Sequence, residues 1–385
     1  FMGYLAERTS SKRGKYRPYI FFGTIPLALS FVMLFWVPPF TGLSLFICLL
    51  LVNVFHRTCF TIVSVPYSSL TPRITSDSEE RTKLTTARMI GASFGTLLMS
   101  SLGFPIINYF GQNDESLGII YLSSFAAFFA VIILYITYTS VKESSTKEVK
   151  EIYPSITKII LSILKNYPFW IVFSSILILG STTIMFNKNL IYYIKYALDL
   201  HNYQGLVLGL SGLSSFASIP FWSYVSLKIG KRNTWQISMS LLLLAFALFY
   251  FYQINSLREL IIIVCLIGLA SGAGGVLFWS MLPDTIEYGE WKSGIRSESS
   301  LYGFMTFAQK SSIAVAALIL GVLLTLINFS PNEVQTPETL SGLKNIMSLI
   351  PASGIAISIF LMYFYPINSE YHRELLINIE TRKND

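Results

Sequence analysis

Residues 259–283 read ELIIIVCLIGLASGAGGVLFWSMLP, 25 residues in which Glu259 is the only charged side chain. At 1.5 Å per residue, a helix of that length extends about 37 Å, enough to cross the roughly 30 Å hydrocarbon core of a bilayer. The run does not alternate polar with apolar residues, so it is a helix and not a barrel strand. In lipid, each backbone N–H and C=O must find its partner within such a segment. Nine more runs of this kind lie near 18–38, 44–70, 85–108, 118–138, 167–187, 205–228, 234–253, 299–327 and 343–366. The expectation is an all-α polytopic membrane protein with ten full spans.

Composition agrees. The 385 residues are 53% hydrophobic, 15% aromatic and only 13% charged, with a mean hydropathy of +0.57. Soluble domains carry about 25% charged residues. A disordered chain, a collagen, a disulfide scaffold and an ordinary cytosolic enzyme are excluded. The net charge of +7 has a topological reading. Of 28 Lys and Arg, 21 fall in 7–17, 71–84, 139–166, 228–233, 284–298 and 367–385, against Lys188, Lys195, Arg258 and Lys344 on the other side. That bias makes the first set cytoplasmic, with the C-terminus inside a plasma membrane. No nucleic-acid partner is implied. Cys48, Cys59 and Cys265 each lie in an apolar run and read as buried thiols.

The stretch 139–166 starts charged (KESSTKEVKE) and turns amphipathic (SITKIILSILKNY). It reads as a cytoplasmic linker with a surface helix. It separates an N-terminal bundle, 1–138, from a C-terminal six-helix bundle, 167–366, with a cytoplasmic tail at 367–385. The opening FMGYLA is too short to span and reads as the end of a helix whose start is missing. Four spans then precede the linker and six follow it. RGKYRPYI at 13–20 is echoed by IGKRNTWQI at 229–237, and SSLTPRI at 68–74 by SMLPDTI at 280–286. The similar offsets suggest a duplicated half.

Four blocks carry a resemblance: FMGYLAERTSSKRGKYRPYIFFGTIPLA, VPYSSLTPRITSDSEERTKLTTARMIG, LPDTIEYGEWKSGIRSESSLYGFMTFAQK and INFSPNEVQTPETLSGLKNIMSLIP. In order and over nearly the whole chain, they resemble the glycoside–pentoside–hexuronide:cation symporters, melibiose permease-like members of the major facilitator superfamily. The resemblance implies a major facilitator fold of twelve helices in two bundles. It also implies a central sugar site coupled to Na+ or H+, with no cofactor beyond the ion and a monomer in the bilayer. The first helix and most of the second, which carry the family's cation-binding acids, are not in this sequence.

Ionisable groups inside spans are costly and mark cavities. Arg57, Thr61, Ser64 and Ser68 follow i, i+4, i+7, i+11 and share one helical face. By resemblance Thr61 matches a cation-site threonine, while Ser64 replaces a sugar-binding aspartate and Ser68 a tryptophan. Arg88 matches a family arginine of the sugar region, Lys310 the family lysine of its helix, with a role in substrate binding or in a charge network, and Asn187 an asparagine of the seventh helix. These give the expected substrate set of Arg57, Ser64, Ser68, Arg88, Asn187 and Lys310. Three intramembrane cations without a visible acid also suit an anionic glycoside such as a uronide. His56 reads as a packed side chain. At the cytoplasmic junctions, Arg8, Arg13, Lys15 and Arg17 carry charge opposite to Asp284, Glu287, Glu290 and Glu298. Such pairs can lock the two halves while the outside is open.

No HExxH, CxxC pair, GxSxG or Walker loop is present, so neither an enzyme nor an ATP-driven pump is expected. A channel would need a filter or charged ring. The reading is a secondary transporter of a sugar or glycoside. A lipid transporter of the same fold and an inactive truncated fragment are the alternatives.

Overall fold

The computed structural model describes residues 2–9, 11, 13–112, 114–141, 143 and 155–384, and among these the regular structure is helical. The helices are α1 (Met2–Glu7), α2 (Arg17–Met33), α3 (Gly42–Ser69), α4 (Thr71–Ile74), α5 (Ser78–Gly111), α6 (Glu115–Ser140) and α7 (Ile156–Leu164). They continue as α8 (Tyr167–Tyr192), α9 (Gln204–Ile229), α10 (Lys231–Phe251), α11 (Leu257–Ser293), α12 (Glu298–Leu326), α13 (Pro337–Tyr363) and α14 (Ser369–Asn384).

Helix falls on all ten expected spans, but fewer than ten are long enough to cross a bilayer. Among the described residues eight helices are long and apolar enough, or nine if the two arms of α5 count as one span. Those arms, Ser78–Gly103 and Pro105–Gly111, meet at 44°. Proline removes an i→i−4 hydrogen bond and crowds the preceding turn, which accounts for the bend. The expected span at 18–38 shortens to the 17 residues of α2. Val37, Pro38 and Pro39 follow it, and residues before proline are pushed out of helical geometry.

The chain forms two compact units. One holds Phe1–Asp77, Gly91–Ile160 and Ser297–Gly303; the other holds Ser78–Ile90, Leu161–Arg296 and Phe304–Asp385. The first turns of α5 thus belong to the second unit, and the first turns of α12 to the first. In the first unit α2 packs on α3 and α6. Its core joins Met2, Ala6, Tyr16, Ile20, Val65 and Leu70. The Glu143 carboxylate accepts from the backbone N–H groups of Lys15, Tyr16 and Arg17 at 2.8–2.9 Å, at the start of α2. An anion there satisfies donors that the helix leaves open.

In the second unit α9 and α11 lie against each other without room for a side chain between them. A Cβ on Gly268 or Gly272 would fall 2.6 Å from the Ser211 or Ser215 carbonyl oxygen. Small residues four apart give the backbone close approach that holds helices together in lipid. Trp222 donates from Nε1 to the Leu269 carbonyl at 2.7 Å and fastens the same pair. Asn189 joins α8 to α13 by donating to the Leu343 carbonyl at 2.8 Å.

Two peripheral segments are also helical. α7 buries Ile159 and Ile163 and exposes Ile156 and Ile160, as its amphipathic pattern requires; the charged run at 144–154 lies outside the described residues. The stretch read as a tail is α14, which buries His372, Leu375 and Ile379.

Candidate functional site

The C-terminal part of α11 places Asp284 and Glu287 on one face, three residues apart. Both are buried, at 3% and 1% exposure. The Arg81 guanidinium is fully buried and binds Glu287 with two nitrogens, at 3.0 and 2.5 Å. It also lies 3.6 Å from Asp284. Lys231 follows Gly230, whose φ of +81° turns the chain between α9 and α10. Its Nζ reaches Asp284 at 2.6 Å, Ser78 Oγ at 2.6 Å and the Ser280 carbonyl at 2.7 Å. His372 brings α14 to the same point, with Nε2 2.5 Å from Glu287 and 3.7 Å from Asp284.

The two acids are balanced by Arg81 and Lys231, so protonated His372 makes the cluster net positive. Burial lowers the His372 pKa, but the charges of Asp284 and Glu287 and the hydrogen bond to Glu287 outweigh it and hold the pKa above its ordinary 6.5. Ligand atoms of Asp284, Glu287 and His372 lie within 4.8 Å of one another, a spacing a metal ion can use. The donor set does not suit a divalent ion, because Arg81 and Lys231 already occupy the same carboxylate oxygens.

A second cluster joins α1 to the start of α12 within the first unit. Glu298, 1% exposed, accepts from Tyr16 Oη at 3.0 Å and Arg73 Nε at 2.7 Å. The Ser299 hydroxyl donates to Tyr16 Oη at 2.8 Å. Glu7 accepts from the Ser300 backbone N–H at 2.9 Å. Gly3, one turn earlier, lets the backbones meet: a Cβ there would lie 3.0 Å from Ser300 Cα and closer still to the Ser299 carbonyl. Burial raises the Glu7 pKa to about 7, against the Ser300 hydrogen bonds and the Lys15 charge and with help from Glu298.

The described partners of Asp284, Glu287 and Glu290 are Arg81, Lys231, His372 and Arg296. Arg8 lies over the Tyr4 ring at 4.6 Å, and Arg13 is exposed. Arg17 donates to the Tyr138 carbonyl at 2.6 and 3.1 Å.

The expected substrate residues fall into four groups, on α3, α5, α8 and α12. On α3 the stripe runs from exposed Arg57, through half-buried Thr61 and Ser64, to buried Ser68. Thr61 Oγ1 donates to the Arg57 carbonyl at 2.8 Å, and its lone pairs stay available. The Arg57 guanidinium makes no ion pair or hydrogen bond among the described residues. In the second unit, half-buried Arg88 lies over the face of Trp279, 4.6 Å from the ring centroid. Neighbouring Thr86 donates to Ser223 Oγ at 2.6 Å. Asn187 lines a recess of about 380 Å³ among α8, α9, α10 and α11. Lys310 is half-buried on α12 and has contacts of its own. His56 is packed, with Nδ1 3.2 Å from Ser30 Oγ and its ring beside Phe31 and Phe60. Cys59 is buried, whereas Cys48 and Cys265 are only half-buried.

A family model described as MFS/sugar transport protein matches residues 1–369. The chain is 27% identical over 386 residues to the glucuronide carrier protein homolog of Escherichia coli (strain K12), covering 100% of this chain and 84% of that protein. It is 26% identical over 393 residues to the isoprimeverose transporter of Lactiplantibacillus pentosus, covering 99% and 80%. The fold matches a crystal structure of a Major Facilitator Superfamily transporter, FucP, in the outward conformation. That match has a TM-score of 0.66 at 12% identity and covers 95% of this chain and 86% of that one.

Proposed function

We propose, from a chain that belongs to the MFS/sugar transport protein family, that it is a secondary active transporter of a sugar or glycoside. It works by alternating access and is coupled to Na+ or H+, in the manner of the glycoside–pentoside–hexuronide:cation symporters. The observation that carries this reading is Arg88 above Trp279. A guanidinium presents a planar fork of donors to ligand oxygens. Beside an indole face, it offers both parts of glycoside recognition: donors for oxygen atoms and a flat surface for the ring. In this reading the two bundles rock about a midplane site.

The test is uptake by proteoliposomes of the purified protein. Radiolabelled p-nitrophenyl glucoside, galactoside, xyloside and glucuronide are offered under an imposed Na+ or pH gradient. Accumulation of one of them, driven by one of the ions, is expected. Failure of all four under both gradients overturns the reading.

Arg57 favours a second, narrower reading, an anionic glycoside. Its guanidinium has no counter-ion among the described residues, and a substrate carboxylate matches its fork of donors. The likeness to the glucuronide carrier protein homolog supports the same class. Arg57→Ala is then expected to reduce glucuronide uptake at least about tenfold while sparing neutral glycosides, the size of a lost charge-assisted hydrogen-bond pair. Equal loss for both classes removes this reading and leaves the first.

A further inference from the structure

The nine residues of α7 carry two apolar faces, where a surface helix ordinarily has one. On the first face Ile159 and Ile163 are buried, and the Ser162 and Ser293 hydroxyls share a 2.7 Å hydrogen bond that ties α7 to α11. The second face points away from the protein. Ile156, Ile160 and Leu164 stand four residues apart on one helical stripe, with Leu161 beside them. All four are 45–60% exposed. Aliphatic side chains gathered in this way are costly to leave in water and mark an interaction surface.

The border of this face is basic. Lys158 and Lys165 are exposed, and neither ammonium has a hydrogen bond or ion pair among the described residues. No acid lies between Ser155 and Lys165. A helix of nine residues is about 13 Å long, too short to cross a bilayer. Its level is set by α8, which is long and apolar enough to cross. Trp170 on α8 donates from Nε1 to the Ile163 carbonyl at 3.0 Å, and Asn166 caps α8 by accepting from the Phe169 N–H at 3.2 Å. The end of α7 is thereby tied to the start of α8. Tyr167 and Trp170 in that first turn are of the types that settle at the headgroup level. Lys292 adds a cation there, 5.7 Å from the Tyr167 ring centroid.

We infer that α7 is an interfacial helix that binds acidic phospholipid where α8 enters the bilayer. The stripe of Ile156, Ile160 and Leu164 rests among the acyl chains, and Lys158 and Lys165 meet the lipid phosphates. The inference needs the membrane-spanning fold and not the identity of the solute carried. Charge selects the occupant: an apolar stripe edged by lysines and free of acids complements an anionic bilayer surface. The stripe also continues the apolar surface of α8 into the headgroup layer.

Nitroxide labels test this. They are placed at Ile160→Cys and, separately, at Leu164→Cys in the full chain carrying Cys48→Ala, Cys59→Ala and Cys265→Ala. Each protein is reconstituted in phosphatidylcholine with or without phosphatidylglycerol. Collision rates with oxygen and with a water-soluble nickel complex give the lipid-to-water ratio of the label. Two lysines near an acidic surface are expected to raise that ratio about 30-fold when phosphatidylglycerol is added. Lys158→Gln with Lys165→Gln, or raised salt, is expected to remove the rise. Should the cysteine-free background aggregate, the wild-type chain decides: trypsin cleavage after Lys158 and Lys165, relative to Arg373, is expected to slow about fivefold or more with phosphatidylglycerol. Labels that stay in water in acidic bilayers overturn the inference, as does a ratio indifferent to phosphatidylglycerol or to the lysines, or an unchanged trypsin ratio. Dipolar broadening between labels, which places a second copy on this face, overturns it too.

Discussion

Glu7→Gln is expected to stabilise the protein at pH 8 and to change nothing near pH 4. Two effects oppose each other at this residue. The carboxylate sits at the start of α12, where the Ser300 N–H donates to it and the helix end favours negative charge by about 0.3–2 kcal/mol. Burial disfavours the charge and wins, leaving the pKa at about 7 against an ordinary 4.5. A folded-state pKa above the unfolded one means that stability is complete below the unfolded pKa and falls as pH rises through the folded one. Between pH 4.5 and 7 the unfolded chain releases its proton while the folded protein keeps it. Above pH 7 the loss levels off at about 3 kcal/mol, at 1.36 kcal/mol per pH unit. Glutamine keeps an oxygen for the Ser300 N–H and carries no charge, so it removes that loss. Reversible SDS titration in dodecyl maltoside, followed by tryptophan fluorescence at several pH values, measures it. Wild type should weaken more than Glu7→Gln between pH 5 and 8, the difference between them growing toward about 3 kcal/mol. A variant less stable than wild type at pH 8 would refute the reasoning, because the helix end would then need the charge more than burial penalises it.

Two further outcomes follow from the cluster on α11. Arg81→Gln leaves Glu287 buried with His372 as its remaining cation, and is expected to cost about 3–5 kcal/mol; Arg81→Gln with Glu287→Gln should recover more than half of that. The same SDS titration checks it, and costs that simply add would show that the two residues are not coupled. The raised pKa of His372, faced by Asp284, Glu287, Lys231 and Arg81, makes its stabilising contribution complete below about pH 6.5 and lost as pH rises through the higher folded value. Trypsin cleavage at Arg373 and Arg382 should therefore accelerate with alkalinity relative to His372→Gln measured at the same pH; a constant ratio would detach α14 from this titration.

The sequence carried the helices and the identity of the charged face on α11, but not which cations meet it. Apolar runs mark the membrane helices because lipid leaves the backbone no other partner, and the misplaced ends trace to local chemistry at Pro38, Pro39 and Pro105. The polar stripe on α3 was also legible, since helical period alone puts Arg57, Thr61, Ser64 and Ser68 on one face. Arg81, Lys231 and His372 were harder. Lys231 and Arg81 look like ordinary members of a positive-inside loop, and their burial depends on where Gly230 turns the chain and where α5 begins. His372 had one readable signal. His372, Leu375 and Ile379 repeat at helical spacing in a segment that charge counting treats as a solvated tail. Glu7 shows the limit from the other direction. It stands in the sequence beside Arg8 as one more loop charge, yet Gly3, four residues earlier, sets how near α12 comes, and that closeness takes the carboxylate out of water. In both clusters, then, a glycine that turns the chain or lets backbones meet decides whether a charge is solvated or buried, and charge counts along the chain cannot register it.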